Sequence, residues 1–229
     1  MRIHFYLLLL AFLLGNGPIK AQTKTKDGWI SLFDGSTLNG WRQAQKDTLP
    51  DAGWSAQNGE LSFDPAKDHG TDIITTRAFT SFELSVDFKV SVGGNSGIKY
   101  FLIPNTSLGC EFQLIDDSKH PDAKLGINGN RKTGALYDIL PASANKPYKG
   151  AGVWNTARII VKGNHVEHWL NGVKILEYER GSDAFKQAIA QSKFKTTTGF
   201  AKATSSSILL QAHGDKVSFR NIKIRAHSI

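Results

Sequence analysis

Cysteine is nearly absent: Cys110 stands alone among 229 residues, so no intramolecular disulfide can brace the fold, which must rest on its core. No apolar stretch reaches the length needed to cross a bilayer as a helix. Several catalytic signatures are missing as well. There is no Gly-x-Ser-x-Gly elbow, no glycine-rich phosphate loop ending in Lys-Ser/Thr, and no dinucleotide fingerprint. Acidic residues are the minority sign, 20 against 28 Lys and Arg, for a net charge of +8. The lysines are scattered and form no arginine-rich block, so the charge describes a basic surface, and no nucleic acid is expected as a partner.

What is present begins with a leader. Arg2 followed by the apolar run Phe5 to Leu14 and a small residue at Ala21 predicts a signal peptide over residues 1–21. The expected destination is the periplasm or the exterior, with no transmembrane segment left after cleavage. Residues 22–229 are expected to form one domain, for no linker or internal repeat interrupts them. Phe82 to Val90 alternates apolar and polar residues, as a half-buried strand does. Thr156 to Val161 and His165 to Leu170 read as a strand pair, and Asn171-Gly172 turns the chain into Lys174 to Tyr178. Ser206 to Gln211 and Lys216 to Arg225 read as the last two strands. One short helix is predicted over Ser182 to Ser192, capped by Ser182 or Asp183. Many short strands separated by turns predict an all-β, antiparallel two-sheet sandwich. Asn105 to Gly109 and the longer Asp116 to Gly152 do not alternate. The second holds enough apolar residues to form an ordered cover over one sheet face.

Three clusters could carry chemistry. On a regular strand Glu111, Gln113, Ile115 and Asp117 share one face, which joins carboxylates and an amide. Asp116 serves equally well as a turn residue. Asn95 and Ser96 either close the turn after Gly93-Gly94 or contribute to a site, and Lys99 on the following strand is either solvated or an oxyanion stabiliser. His213 stands at a strand end, where an acid, a base or a metal ligand is useful, and Arg220 pairs either with a site carboxylate or across the sheet. His165-x-Glu167-His168 imitates part of a zinc motif, but it precedes Asn-Gly as a strand and does not put both histidines on one face. Glu111-Phe112-Gln113 has an amide where laminarinase-type sandwich glycosidases carry a second acid, so an ordinary two-carboxylate retaining mechanism is not signalled.

Taken together these stretches resemble the 3-keto-disaccharide hydrolase domain family. The resemblance runs from about Gly28 to Arg225. It is carried by Gly28-Trp-Ile-Ser-Leu-Phe-Asp-Gly35, Leu38-Asn-Gly-Trp41, Gly94-Asn-Ser-Gly-Ile98 and Glu111-Phe-Gln-Leu-Ile-Asp116. Gly134-Ala-Leu-Tyr137, Trp154-Asn155, His165 to Gly172 and Leu210 to Ile224 complete it. It implies a concanavalin A-like jelly roll, an envelope location and hydrolysis of oxidised oligosaccharides or glycosides. Ala212 departs from it, since the family commonly has Asp before His-Gly. The chemistry implied needs an acid, a base and an enolate stabiliser. Glu111 and His213 are the candidates for acid and base, and Lys99 or a divalent metal for stabiliser. Asn95, Gln113, Asp117 and Arg220 are the candidates for holding the sugar. A non-catalytic carbohydrate-binding module of the same fold is the competing expectation.

Overall fold

A computed structural model describes residues 27–68 and 70–227, and the expected leader lies outside them. Among the described residues thirteen strands form two antiparallel sheets. The larger holds β1 (Ile30–Ser31), β3 (Trp54–Gln57), β4 (Glu60–Phe63), β6 (Phe82–Val90), β9 (Asn155–Lys162), β10 (His165–Leu170), β11 (Val173–Glu179) and β13 (Val217–Ala226). Its order is β11-β10-β9-β6-β13-β4-β3, with β1 also on β13. The smaller sheet holds β2 (Trp41–Gln43), β5 (Ile73–Thr75), β7 (Asn95–Tyr100), β8 (Cys110–Ile115) and β12 (Leu209–Leu210), in the order β2-β5-β12-β7-β8. The sandwich expected from the alternation is therefore present, with a single α-helix among the described residues, α1 (Asp183–Ala190), capped by the Ser182 side chain on the Phe185 amide. The strand expected over Ser206 to Gln211 is only Leu209–Leu210 long, because Ser206 bridges to Phe79 outside the named strands.

Period-two alternation places the core between the sheets. Phe82, Leu84, Val86 and Phe88 of β6 face Ile98 and Tyr100 of β7 and Phe112 and Leu114 of β8, all essentially inaccessible to water. Each such side chain contributes about 1.5–3 kcal/mol by burial. Glu83, on the polar side of β6, is also buried. Arg158 and Arg225 close on its carboxylate, which compensates the charge. The Asn171-Gly172 hairpin has φ of 48° and 86°, the left-handed pair that a two-residue turn of this hand requires.

A histidine lies inside the core. His168 Nε2 lies 2.6 Å from the Tyr100 hydroxyl, and His168 Nδ1 lies 2.9 Å from the Gly134 carbonyl. A neutral ring that donates from Nδ1 and accepts at Nε2 satisfies both contacts. Burial pushes this imidazole down to about 4. The consequence is positional, because Gly134 opens the segment that runs along the outer edge of β8. Gly134 donates to the Gln113 carbonyl and Gln113 donates to the Ala135 carbonyl, so the covering loop pairs with that edge.

Candidate active site

β7 and β8 pair in the register Asn95↔Ile115, Gly97↔Gln113 and Lys99↔Glu111. Ile98, Tyr100, Phe112 and Leu114 take the inward positions, so Lys99, Glu111 and Gln113 must face out of the sandwich. They are nevertheless buried, because the loops at 101–109 and 116–154 and the turn after α1 fold over this part of the sheet. Lys99 Nζ stands 3.8 Å from Glu111 Oε2 and donates to the Ser107 carbonyl at 3.3 Å. Gly97 makes room for the acid: a Cβ there would come within 2.1 Å of Glu111 Oε1.

The covering loop supplies the opposite wall. The Tyr137 amide donates to the Glu111 carbonyl, and its hydroxyl donates to Asp122 Oδ2 at 2.8 Å. Arg131 bridges Asp122 and Asp138, at 2.7 and 2.5 Å. Asp138 in turn accepts from the Lys193 amide at 2.7 Å, which fixes the chain just beyond α1. Lys193 Nζ then lies 4.1 Å from the centre of the Tyr137 ring.

These groups enclose a cavity of about 70 Å³, whose walls include Asn95, Lys99, Glu111, Gln113, Tyr137 and Lys193. Gln211 and His213 complete it on the β12 side. The Gln211 amide donates to the Gly97 carbonyl, continuing the strand pairing past Leu210. His213 is exposed at the mouth. Two buried acceptors in this wall, Asn95 Oδ1 and Gln211 Oε1, have no hydrogen-bond partner. Unpaired buried oxygens of this kind call for a ligand that donates.

Charge and burial oppose one another here. Burial raises the Glu111 carboxyl above its usual range, Lys99 and Lys193 pull it back, and Asp72 and Asp122 push it further up. Burial lowers the Lys193 ammonium, with Glu111 and Asp138 opposing the fall. Both shifts narrow the gap between an acid and a base that share one small space, a feature common at catalytic sites. Asp72 also anchors the floor, accepting from the Ala212 amide at 2.9 Å.

Five sequence candidates, Asn95, Lys99, Glu111, Gln113 and His213, thus line one cavity. Two do not. Asp117 lies beyond the end of β8, where it accepts from the Thr133 amide and pairs with Lys146 at 2.8 Å. The face-sharing expected of it fails because the strand stops at Ile115. Arg220 belongs to β13, on the outer side of the larger sheet. There it packs over Trp154 at 4.1 Å and pairs with Asp87 at 3.5 Å. Asp116 is a turn residue. It accepts from Gly93, Ser118 and Lys119, and these bonds hold its carboxyl down at about 2 against the effect of burial. The cavity is also smaller than the several hundred Å³ usual for a small-molecule site, so it takes part of a ligand and leaves the rest outside. A place in the site for Lys193, Tyr137 and Gln211 escaped the sequence reading, although Tyr137 and Gln211 stood in stretches that carried the resemblance. Lys193 follows a helix and carries no strand period, and Tyr137 lies in a loop.

Concerning a metal, the described residues place one His/Glu trio at ligating distances, His165, Glu167 and Glu177, and it lies on the larger sheet. Lys174 Nζ already sits 2.6 Å from Glu177 Oε2 there. At the cavity the cations are Lys99 and Lys193, which suit a developing oxyanion.

The family model for the 3-keto-alpha-glucoside-1,2-lyase-like domain matches residues 28–225. A 3-keto-disaccharide hydrolase from Bacteroides thetaiotaomicron is 36% identical over 231 aligned positions, covering 87% of this chain and 78% of that one. A solved structure from Parabacteroides distasonis, assigned to the glycosyl hydrolases, superposes with a TM-score of 0.80 at 29% identity, covering 90% of this chain and 99% of that one. The carbohydrate-binding module CBM66 from Bacillus subtilis shares the fold alone, with a TM-score of 0.50 at 11% identity over 83% of this chain and 98% of that one.

Proposed function

The chain belongs to the 3-keto-alpha-glucoside-1,2-lyase-like domain family, and from that membership we propose that it cleaves 3-keto-glycosides by elimination across carbons 1 and 2 followed by hydration. The observation that carries this reading is the buried Glu111 carboxylate flanked by two ammonium groups, Lys99 and Lys193, in one cavity.

A ketone at carbon 3 acidifies the hydrogen on carbon 2. Glu111 takes that proton, and the electron pair moves into an enolate whose oxygen lies against the lysines. The enolate then collapses: the carbonyl reforms, a double bond forms between carbons 1 and 2, and the glycosidic oxygen leaves carbon 1 with its electron pair. His213, exposed at the mouth, protonates that oxygen. Water adds at carbon 1, and a proton returns to carbon 2. No oxidant, reductant or covalent enzyme intermediate is required. Asn95 Oδ1 and Gln211 Oε1 accept from hydroxyls of the same ring.

The test is cleavage of a 3-keto-glucoside beside its unoxidised parent, in heavy water. The reading expects cleavage of the ketone alone, with deuterium on carbon 2 of the released sugar. Cleavage of the parent without deuterium uptake overturns the elimination, and binding without any cleavage makes the protein a binding module. Export is proposed on the apolar run Phe5 to Leu14 and Ala21. Amino-terminal sequencing of the protein from its host should begin near Gln22, and a start at Met1 refutes it.

A further inference from the structure

The segment His165-x-Glu167-His168 fails as a helical zinc motif. As strand β10 it nevertheless places His165 and Glu167 on one face, with Val166 and His168 turned into the core. The neighbouring edge strand completes the arrangement. β10 and β11 pair in the register Glu167↔Glu177 and His165↔Glu179, so these four side chains form a square on the outward face of the larger sheet. The catalytic cavity belongs to the smaller sheet, and none of the four lines it.

Three of the four bring ligand atoms to one place. His165 Nε2 lies 3.4 Å from Glu167 Oε1 and 3.9 Å from Glu177 Oε2, and the three atoms fall within 4.8 Å of one another. Ligands about 2.0–2.1 Å from a tetrahedral ion stand roughly 3.4 Å apart, so small side-chain rotations seat one here. Groups outside the trio hold the ligands from behind. The Trp169 indole N–H donates to the other Glu167 oxygen at 2.7 Å, and Glu179 Oε2 lies 3.7 Å from His165 Nδ1. A carboxylate behind the far nitrogen of an imidazole is the outer arrangement that metal-bound histidines use. Positive charge already collects at this place: Lys174 Nζ sits 2.6 Å from Glu177 Oε2 and 3.8 Å from Glu167 Oε1, bridging the two carboxylates. Three glutamates against one lysine leave excess negative charge here, in a chain whose formal net charge is +8.

We propose that His165, Glu167 and Glu177 bind a zinc ion on the outward face of the β10–β11 hairpin, where it displaces the Lys174 ammonium and Glu179 and Trp169 orient its ligands. The donor set selects the ion. An imidazole beside two carboxylates suits zinc, whereas calcium and magnesium take oxygen ligands. The fourth position opens to solvent, since Glu177 is exposed and His165 only partly buried. The consequence is mechanical. β11 is the edge of the larger sheet, and the inner side of the same hairpin carries His168, which holds Gly134 of the covering loop. An ion joining the two strands stabilises the hairpin by mass action, whatever reaction the cavity performs.

The experiment titrates zinc chloride into the untagged, chelator-treated full chain by calorimetry, and follows thermal unfolding with and without the ion. One saturable equivalent per chain and a raised transition are expected. His165→Ala and Glu167→Gln should each remove that equivalent. Glu179→Gln should weaken binding by about tenfold, as loss of an outer partner does. Lys174→Met should tighten binding severalfold, because the competing ammonium is gone, a gain that damage to the fold would not produce. His227, which also stands beside a glutamate, serves as the control, and His227→Ala should leave the affinity unchanged. Absence of a saturable equivalent in the wild-type protein, an equivalent that persists in His165→Ala, or an affinity that Lys174→Met fails to raise would each overturn the site.

Discussion

Glu111 Oε2 and Lys99 Nζ face each other across neighbouring strands at 3.8 Å, each with less than a tenth of its side chain exposed. A buried pair of this kind is costly to desolvate, and removing one partner leaves the other uncompensated. The separation exceeds a hydrogen bond, and burial raises Glu111 despite its neighbour. Stability alone does not account for the arrangement. Under the proposed elimination the arrangement has a use: a carboxylate takes a proton with a cation beside the oxyanion that the transfer creates.

The first prediction concerns pH. A base works when ionised, so turnover should rise with pH through the raised pKa of Glu111 and then level. Lys193 stabilises the ionised form, so Lys193→Met should raise that pKa further and move the acid limb to higher pH. Glu111→Gln should lower kcat by about 10²-fold or more, and it should also lower the thermal transition, because Lys99 loses its buried counter-charge. A limb that stays put in Lys193→Met would detach Glu111 from the proton transfer.

The second concerns Gly97. Its outward side is filled by the Glu111 carboxylate, so an alanine methyl group displaces it. Gly97→Ala should cost about 1–3 kcal/mol in denaturant unfolding, as overpacking does, and should reduce turnover as the acid moves. In a Glu111→Ala background the same methyl group meets no carboxylate, so its cost should largely vanish. A cost unchanged in that background places the strain elsewhere.

Much of the fold was legible because strand alternation is local. Phe82 to Val90 declares its two faces in sequence, and Asn171-Gly172 declares its turn. The alternation of β8 likewise put Glu111 and Gln113 on one face, whereas Asn95, open in sequence between turn and site, is shown by the structure to start β7. Alternation does not say to which sheet a strand belongs. Arg220 points outward from β13 as the pattern requires, but from the larger sheet, away from the cavity. Nor does alternation survive the end of a strand, which is why Asp117 turns to Lys146. Lys193 reaches the cavity through Asp138, Arg131 and Asp122, contacts distant in sequence that no local period records.

The third prediction is a stability window. His168 is neutral in the fold, held down at about 4 by burial, whereas an unfolded chain takes up that proton near 6.5. Between those values the unfolded state binds more protons, so stability rises with pH. The contribution is complete above pH 6.5, is lost as pH falls towards 4, and amounts to on the order of 3 kcal/mol. His168→Gln carries no titrating group. The difference between wild-type and variant unfolding free energies should therefore slope across this window and flatten above it. A flat difference throughout would mean that the ring is not buried neutral.

The last prediction follows from the unpaired oxygens. Gln211 Oε1 is buried at the cavity wall without a donor, and a buried acceptor left unmade costs about 1–3 kcal/mol. No group of the protein itself donates to that oxygen. Gln211→Met keeps the approximate volume and removes the acceptor, so it should leave stability unchanged or raise it slightly in thermal unfolding. Its effect on substrate should have the opposite sign. If the oxygen accepts from the hydroxyl next to the ketone on carbon 4, the variant should lose about tenfold or more in kcat/KM on a 3-keto-glucoside. A 4-deoxy substrate lacks that hydroxyl and should already be poor with the wild-type protein. The substitution should therefore barely affect it, because the interaction is absent before the side chain is changed. The two losses should fail to add, and the shortfall measures the contact. Equal losses on both substrates would place Gln211 in the architecture of the wall, without a direct contact to the sugar. A more stable variant that discriminates less between the two sugars would show that the unpaired oxygen is kept for recognition.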